Sequence, residues 1–466
     1  MDNIMQRFFI SSSESTSTDI EHCEKIGSGH YLHSSHAPRL QWTIGTDHYL
    51  LLGHVYASVT DATVKSLSSK EDFKNVEGRY VVIKTDDQDN ITIWADKYSR
   101  RDVYYSQASH VSIASNMTCF DDIDWTENPD QIALAHSLTI YGSRPAKEQT
   151  FAKNISRLGL GQSLTITTQH EFTVTSVPMD ILPTNNVFGK TELDQYKDMF
   201  FDAIKARGSE DGNLVFLSSG WDSTSIAAVL VHVFGKNKVR GLIGKMHYSD
   251  NVSGINKFEI EKAEKFAEYF GIDLHHTTFD YTRNTDAILE EAKTILKPHN
   301  CNNMTGFNHI NLCKKATEIS NGNEAVFAGE ISDGAHNLGF SQYTTIHHPS
   351  SQDFREYSDK MASYLFGPTF LNTLMNKQQD KDPIWTQFKA MNNNLKFEEV
   401  QSGDELTLQV LSNFFLRQTR MPLMAAENIN ILSPEGIKHY LETSENRFLK
   451  PMVNDDILNT LYCTYL

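Results

Sequence analysis

The stretch Leu214 to Leu230, LVFLSSGWDSTSIAAVL, constrains this chain more than any other. A run of apolar β-formers stops at a Ser/Ser/Gly turn and a helix-forming segment follows at once, so the segment reads as a buried strand, a tight turn and a helix start. Backbone N–H groups of Ser219, Gly220 and Trp221 are expected to point out of such a turn, with the hydroxyls of Ser218, Ser223 and Thr224 around the same concavity. A nest of this kind at a helix N-terminus binds phosphate. Asp222 would repel that phosphate unless a divalent cation lay between them, since a carboxylate and Mg2+ jointly hold a pyrophosphate. A nucleoside triphosphate with Mg2+ is therefore the leading ligand. The plainer alternative is a strand-to-helix turn whose Ser and Asp only cap the helix. No Gly-Lys-Ser/Thr follows the turn, which counts against the P-loop of phosphoryl transferases.

At 466 residues, 39% of them hydrophobic and 22% charged, the chain has the length and composition for two or three soluble domains. Its formal charge of −17 disfavours non-specific attraction to nucleic acid or an anionic membrane. No run approaches the roughly 18 apolar residues of a membrane span, and MDNIMQRFFISSSES has too short an apolar core for a signal peptide. The expectation is a cytoplasmic protein with no nucleic-acid or membrane partner. Cys23, Cys119, Cys301, Cys313 and Cys463 are scattered without CxxC spacing, as suits a reducing compartment. His299, Cys301, His309 and Cys313 lie close in sequence, but at spacing too irregular for a defined zinc site.

Organisation changes along the chain. Up to about residue 180, segments such as HYLLLGHVYAS, RYVVIKTDD, NITIWAD, HVSIAS, QSLTITTQ and EFTVTSV alternate β-branched and aromatic residues between turns, arguing for an antiparallel β-rich unit. One helix is predicted near Pro129 to Tyr141, and Leu182 to Lys190 reads as a linker. Beyond it, helices at Glu192 to Arg207, Ser223 to Val233 and Lys257 to Phe270 alternate with strands at Asn213 to Leu217, Val239 to Ile243 and Asp273 to Phe279. That alternation is the signature of a parallel sheet covered by helices. From about Gln352 the pattern is mainly helical.

A second acidic turn follows another short apolar strand in Ala325 to Tyr343, AVFAGEISDGAHNLGFSQY, with Glu330 and Asp333 three residues apart. Neighbouring carboxylates repel one another unless a cation or a base-catalysis role accounts for them. One division of labour gives Asp333 to the metal and Glu330 to a reacting amine; solvated loop acids that cap the next helix are the alternative.

Taken together, Ser218-Ser219-Gly220-Trp221-Asp222-Ser223 and, about a hundred residues later, Gly329-Glu330-Ile331-Ser332-Asp333-Gly334 resemble the asparagine synthetase family, including β-lactam synthetases and lasso-peptide cyclases. That family usually has Ser-Gly-Gly-Leu-Asp-Ser and Gly-Glu-Gly-x-Asp-Glu, so Ser219, Trp221, Ile331 and Gly334 are departures. Weaker matches are Trp94 to Tyr105, Ser112 to Asn116, Arg157 to Gly161, Glu259 with Ala263, and Arg420 to Pro434. The resemblance implies an α/β chain: residues 1–185 as an Ntn-type, glutamine amidotransferase-like antiparallel β-sandwich, and residues 186–466 as an ATP-pyrophosphatase domain with a parallel sheet. It also implies ATP bound by Ser218, Ser219, Gly220, Asp222, Ser223, Thr224 and Gly329, Mg2+ between Asp222 and Asp333, and Glu330 in catalysis. The segment around His299 to Cys313 would shape substrate specificity.

Two further departures refine the expectation. Glutamine-using relatives carry a mature N-terminal cysteine, whereas here Met1 is followed by Asp2 and Cys23 is internal, so the first domain is expected to lack glutaminase activity. Relatives also place an essential lysine beyond the late Pro-containing segment; Lys450 is the candidate here. Removing one such charge typically slows a reaction on the order of 10² to 10³. Three readings follow: an AMP-forming synthetase joining a small-molecule or peptide carboxylate to an amine; an ammonia-dependent amidotransferase of a small carboxylate or sugar acid, supplied from solution or by a separate glutaminase partner; and a nucleotide-binding scaffold with impaired turnover.

Overall fold

A computed structural model describes residues 7–12, 22–27, 29–56, 59–96, 99–109, 111–120, 129–139, 148–159, 161–176, 190–247, 249, 256–282, 286–287, 289–290, 306–329, 383, 386–387 and 390. The chain is α/β, with two antiparallel sheets followed by a parallel one. In the first part lie β1 (Phe8–Ser11), β2 (His22–Gly27), β3 (His30–Ser34), β4 (Leu40–Ile44), β5 (Asp47–Val55), β6 (Gly78–Thr85), β7 (Ile91–Ala95), β8 (Tyr104–Tyr105), β9 (Val111–Ala114), β10 (Ser156–Arg157), β11 (Gln162–Ile166) and β12 (Phe172–Ser176). They form sheets of order β10-β8-β9-β1-β3-β2 and β12-β11-β7-β6-β5-β4.

The two sheets pack face to face. Phe8, Ile10, Leu32 and Ile113 from one share a core with Leu50, Leu52, Val81, Ile83, Ile93 and Leu164 from the other. Each such side chain withdrawn from water stabilises the fold by about 1.5–3 kcal/mol. β5 and β6 are buried on both faces, because helix α1 (Asp61–Val64) and the turn Asp72–Asn75, through Val64 and Phe73, cover the outer side over Trp42, Tyr49, Leu51, Tyr80 and Trp94. This explains why those strands read as nearly continuous apolar runs. A short helix, α2 (Gln131–Thr139), follows β9.

The second part holds α3 (Lys190–Arg207), β13 (Asn213–Phe216), α4 (Trp221–Phe234), β14 (Val239–His247), α5 (Lys257–Phe270), β15 (Asp273–Asp280), α6 (Gly306–Ile319) and β16 (Ala325–Ala328). Its sheet is parallel in the order β15-β14-β13-β16. Ile204, Ile226, Ala227, Leu230, Ala263 and Ala267 bring α3, α4 and α5 onto one face, over Val215, Leu217, Val239, Ile243 and Phe327. α5 stops at Gly271, whose left-handed φ of 65° lets the Ile272 N–H reach back to the Ala267 carbonyl at 3.0 Å. On the other face α6 packs against β14 and β15, and Arg240 donates to the Ile319 carbonyl at 2.9 Å.

Two contacts set the position of β16. Arg240 pairs with Glu324, which is almost fully buried, and Glu324 also accepts from the Asn321 N–H at 3.2 Å. The register Asn213↔Ala325 to Phe216↔Ala328 then aligns the ends of β13 and β16. Between the sandwich and the parallel sheet, Arg207 at the end of α3 lies 4.3 Å above the Tyr56 ring and 3.7 Å from the Glu77 carboxylate. Glu77 also approaches Arg100 at 3.5 Å, and Arg100 in turn donates to the fully buried Asp96 at 3.0 Å. No helix among the described residues is long and apolar enough to cross a membrane.

Candidate functional site

Strand order creates the site. The chain runs from β13 to β14 to β15 in one direction and then returns to β16 on the other side of β13, so the order reverses at the β13–β16 boundary. At such a switch point the loops leaving the strands' carboxyl ends separate and open a crevice. Both acidic segments singled out in the sequence leave from this boundary.

The first turn is tied together by its own hydroxyls. The Leu217 N–H continues the ladder to the Leu242 carbonyl at 2.8 Å. Ser223, only 3% exposed, accepts from the Ser218 N–H at 3.0 Å, and the Ser218 and Ser223 hydroxyls bond one another at 3.0 Å. Ser218 Oγ also accepts from the Gly220 N–H at 3.1 Å, and Thr224 Oγ1 donates to the Gly220 carbonyl at 2.8 Å. The Gly220 N–H and the Ser223 and Thr224 hydroxyls therefore shape the loop from within. Ser219 is absent from the non-glycine residues with positive φ, which are Asp89, Ser99 and His170 among the described residues. The turn thus accommodates serine where the related motif has glycine without entering the left-handed region.

α4 opens at Trp221, two residues earlier than its sequence pattern suggests, with Gly220 as an extended N-cap at φ −76° and ψ 152°. The first N–H groups of a helix have no carbonyl within it and carry its positive end. Asp222 sits in this first turn, half-exposed. A half-buried pair of bonded serine hydroxyls thus lies at the helix end, and the Asp222 carboxyl stands beside it.

Gly329 brings the second segment against the first. A Cβ built there would lie 2.7 Å from the Ser223 nitrogen, 3.0 Å from Asp222 Cβ and 3.1 Å from the Asp222 carbonyl carbon. No side chain larger than hydrogen fits between the end of β16 and the first turn of α4. Ser218, Ser219, Gly220, Asp222, Ser223, Thr224 and Gly329 are therefore gathered at one sheet edge. Glu330, Asp333 and Lys450 lie outside the described residues, as do the Leu182 to Gly189 part of the linker, His299, Cys301, the pair His347-His348 and the segment Arg420 to Pro434. Among the described residues no cluster of three or more His, Cys, Asp or Glu is arranged to hold a metal.

The strand pairing adds a feature beside this boundary that the sequence pattern does not carry. β14 pairs with β13 only as far as Phe216↔Leu242 but with β15 as far as His247↔Asp280. A two-stranded wall therefore rises five residues past the end of β13, roughly 16 Å at 3.3 Å per residue. Asn256 secures its inner edge, donating to the Gly244 carbonyl at 2.7 Å and accepting from the Met246 N–H at 3.0 Å. At the tip His247 lies 3.5 Å from Asp280. Hydrogen bonds from Thr282 hold the Asp280 carboxyl below the usual carboxylate range. The available signal was the length of the partner strand, since HHTTFD needs something to pair with beyond Ile243.

No protein-family model matches the chain, and no curated protein matches it. Among solved structures it is similar to the glutamine-dependent NAD+ synthetase from Acinetobacter baumannii in complex with adenosine diphosphate, at 12% identity over 57% of this chain and 50% of that one, with a TM-score of 0.23. It is also similar to the NH3-dependent NAD synthetase from Campylobacter jejuni subsp. jejuni NCTC 11168 in complex with the nitrate ion, at 13% identity over 46% of this chain and 99% of that one, with a TM-score of 0.22. The match thus spans half the length of the first of these proteins. Likeness at this level says nothing about what the chain acts on.

Proposed function

We propose that this chain is an ATP-dependent, AMP-forming amide-bond synthetase that joins a carboxylate to an amine. The observation that supports this best is the close approach of Gly329 to Asp222 and Ser223, because it sets the start of the second acidic motif against the phosphate-type turn. Asp333 follows Gly329 by four residues, a reach of at most roughly 14 Å.

In this reading the α4 N-terminus and the Ser218 to Ser223 turn bind and orient the triphosphate. A Mg2+ ion fits here, since it is commonly held by one or two carboxylates together with substrate phosphates and water. Asp222 and Asp333 would hold it, and the ion when bound offsets the charge of the pyrophosphate group. The substrate carboxylate attacks the α-phosphorus, pyrophosphate leaves, and an amine then displaces AMP from the acyl-adenylate while Glu330 accepts the amine's proton. Residues 1–185 would form the amidotransferase-like unit and 186–466 the synthetase. Cys23 lies inside β2 with its amine in a peptide bond, so it has no free amine with which to act as a terminal nucleophile in glutamine hydrolysis.

ATP–pyrophosphate exchange across a panel of carboxylic acids tests the reading. The wild type should show Mg2+-dependent exchange that requires one of the acids, and Asp222→Asn should lower it by on the order of 10² or more. Exchange indifferent to every carboxylate, or an Asp222→Asn variant at the wild-type rate, removes the proposal.

A further inference from the structure

The alternation of β14 determines where its projecting end faces. Val239 and Ile243 pack with Ile226, Ala227 and Leu230 of α4 and with Ala263 and Ala267 of α5. Side chains alternate along a strand, so Lys245 and His247 share that helix-bearing face. Gly244 faces the other way, where a Cβ would collide with the Phe279 ring at 2.2 Å.

Height matters as much as direction. Lys245 stands three residues beyond Leu242, the level at which β13 ends, or about 10 Å further along the strand. Four residues separate the end of β13 from the start of α4, which packs on that same face. Lys245 is exposed, and no hydrogen bond or ion pair engages it among the described residues. Of the described acids on this face, Asp280 meets His247, Glu264 lies 3.8 Å from His276, Glu259 belongs to the first turn of α5, and Asp222 stands in the first turn of α4. An unengaged ammonium on the sheet face that carries the start of a helix, beyond the level at which β13 ends, is an arrangement that an anion completes.

We propose that Lys245 contacts the polyphosphate of a nucleotide held at the Ser218 to Ser223 turn and stabilises the charge that collects on departing pyrophosphate. This rests on the ATP-dependent reading above. In the adenylation step a bond forms between the substrate carboxylate oxygen and the α-phosphorus, and the bond from that phosphorus to the α–β bridging oxygen breaks. The electron pair leaves with pyrophosphate; no proton passes to or from Lys245, which acts as a point charge.

The experiment compares wild type, Lys245→Gln, Lys245→Arg and Lys238→Gln, the last a control at the opposite end of β14. Calorimetric titration with Mg·ATP and with magnesium tripolyphosphate is followed by pyrophosphate exchange. Lys245→Gln should weaken both ligands about tenfold and slow exchange by on the order of 10². Lys245→Arg should recover most of the binding, Lys238→Gln should match wild type, and all variants should melt together because both lysines are exposed. Wild-type affinity and exchange in Lys245→Gln overturn the assignment. If Asp222→Asn loses exchange while Lys245→Gln keeps it, only the role of Lys245 falls; if the wild type binds neither polyphosphate, the nucleotide reading falls with it.

Discussion

Replacing Gly329 by alanine tests whether the two loops are held in register by contact. The new Cβ would sit 2.7 Å from the Ser223 nitrogen, where ordinary contact begins at 3.4 Å, so one side must yield by about 0.7 Å. Two of the three nearest atoms are backbone and the third is Asp222 Cβ, so no flexible side-chain end can move aside. β16 is fixed at its other end by Glu324 and Arg240, which leaves the first turn of α4 to take up most of the shift. Overpacking of this kind costs about 1–3 kcal/mol, and displacing catalytic groups by close to 1 Å can slow a reaction on the order of 10²-fold. Gly329→Ala should therefore show a lower urea midpoint and Mg·ATP affinity reduced at least tenfold. Gly220→Ala is the comparison: its Cβ would meet only the Ser218 hydroxyl, at 3.2 Å, and its φ of −76° suits alanine. That variant should lose less. A Gly329→Ala protein with unchanged midpoint and unchanged nucleotide affinity would mean that β16 and α4 are not pressed together.

Arg207→Ala removes the stacking on Tyr56 and one of the two guanidinium groups shared by Glu77, and should destabilise the protein by about 1–2 kcal/mol in urea titration. Arg207→Lys should recover little, because an ammonium lacks the flat face; a double-mutant cycle with Tyr56→Leu that shows no coupling contradicts the contact. Lys70 is enclosed at its ammonium although the residue keeps some solvent contact, and burial lowers its pKa to about 7, with Asp96 acting in the opposite direction. Below pH 7 the lysine is protonated in both folded and unfolded chains; between 7 and 10.5 the folded chain has released the proton that the unfolded chain retains. Stability from this group therefore rises with pH through that window, and Lys70→Met should flatten the rise between pH 6.5 and 9. Parallel curves for the two proteins would exclude it.

What the sequence made legible follows from how regular each element is. α5 was read over its observed span because its apolar spacing is clean and Gly271 marks its end. The strand before the phosphate-type turn was equally plain, its residues being buried on both faces. β1 escaped because FFIS is a short apolar run without alternation, and β3 because it buries His30, His33 and Ser34, with the Ser11 hydroxyl 3.1 Å from His33. Polar residues inside a core defeat a pattern built on hydrophobicity. The sequence pattern of β14 ends at Ile243, whereas the strand runs to His247, since Gly244-Lys245-Met246-His247 has no strand signature and is ordered by β15 and Asn256. Of the site, the turn's residue types were legible, whereas the engagement of Ser223 and Gly220 inside the loop depends on geometry that only the folded chain supplies.

If the turn holds the nucleotide as proposed, the interlocked Ser218 and Ser223 hydroxyls bear on how quickly it is captured. A loop already holding its bound shape has no ordering step to wait for, so encounter rather than rearrangement would govern arrival. Severing that lock with Ser223→Ala leaves every side chain at the rim in place. It should nonetheless turn a rigid receptor into one that must first find its shape, lowering the association rate constant far more than it raises dissociation.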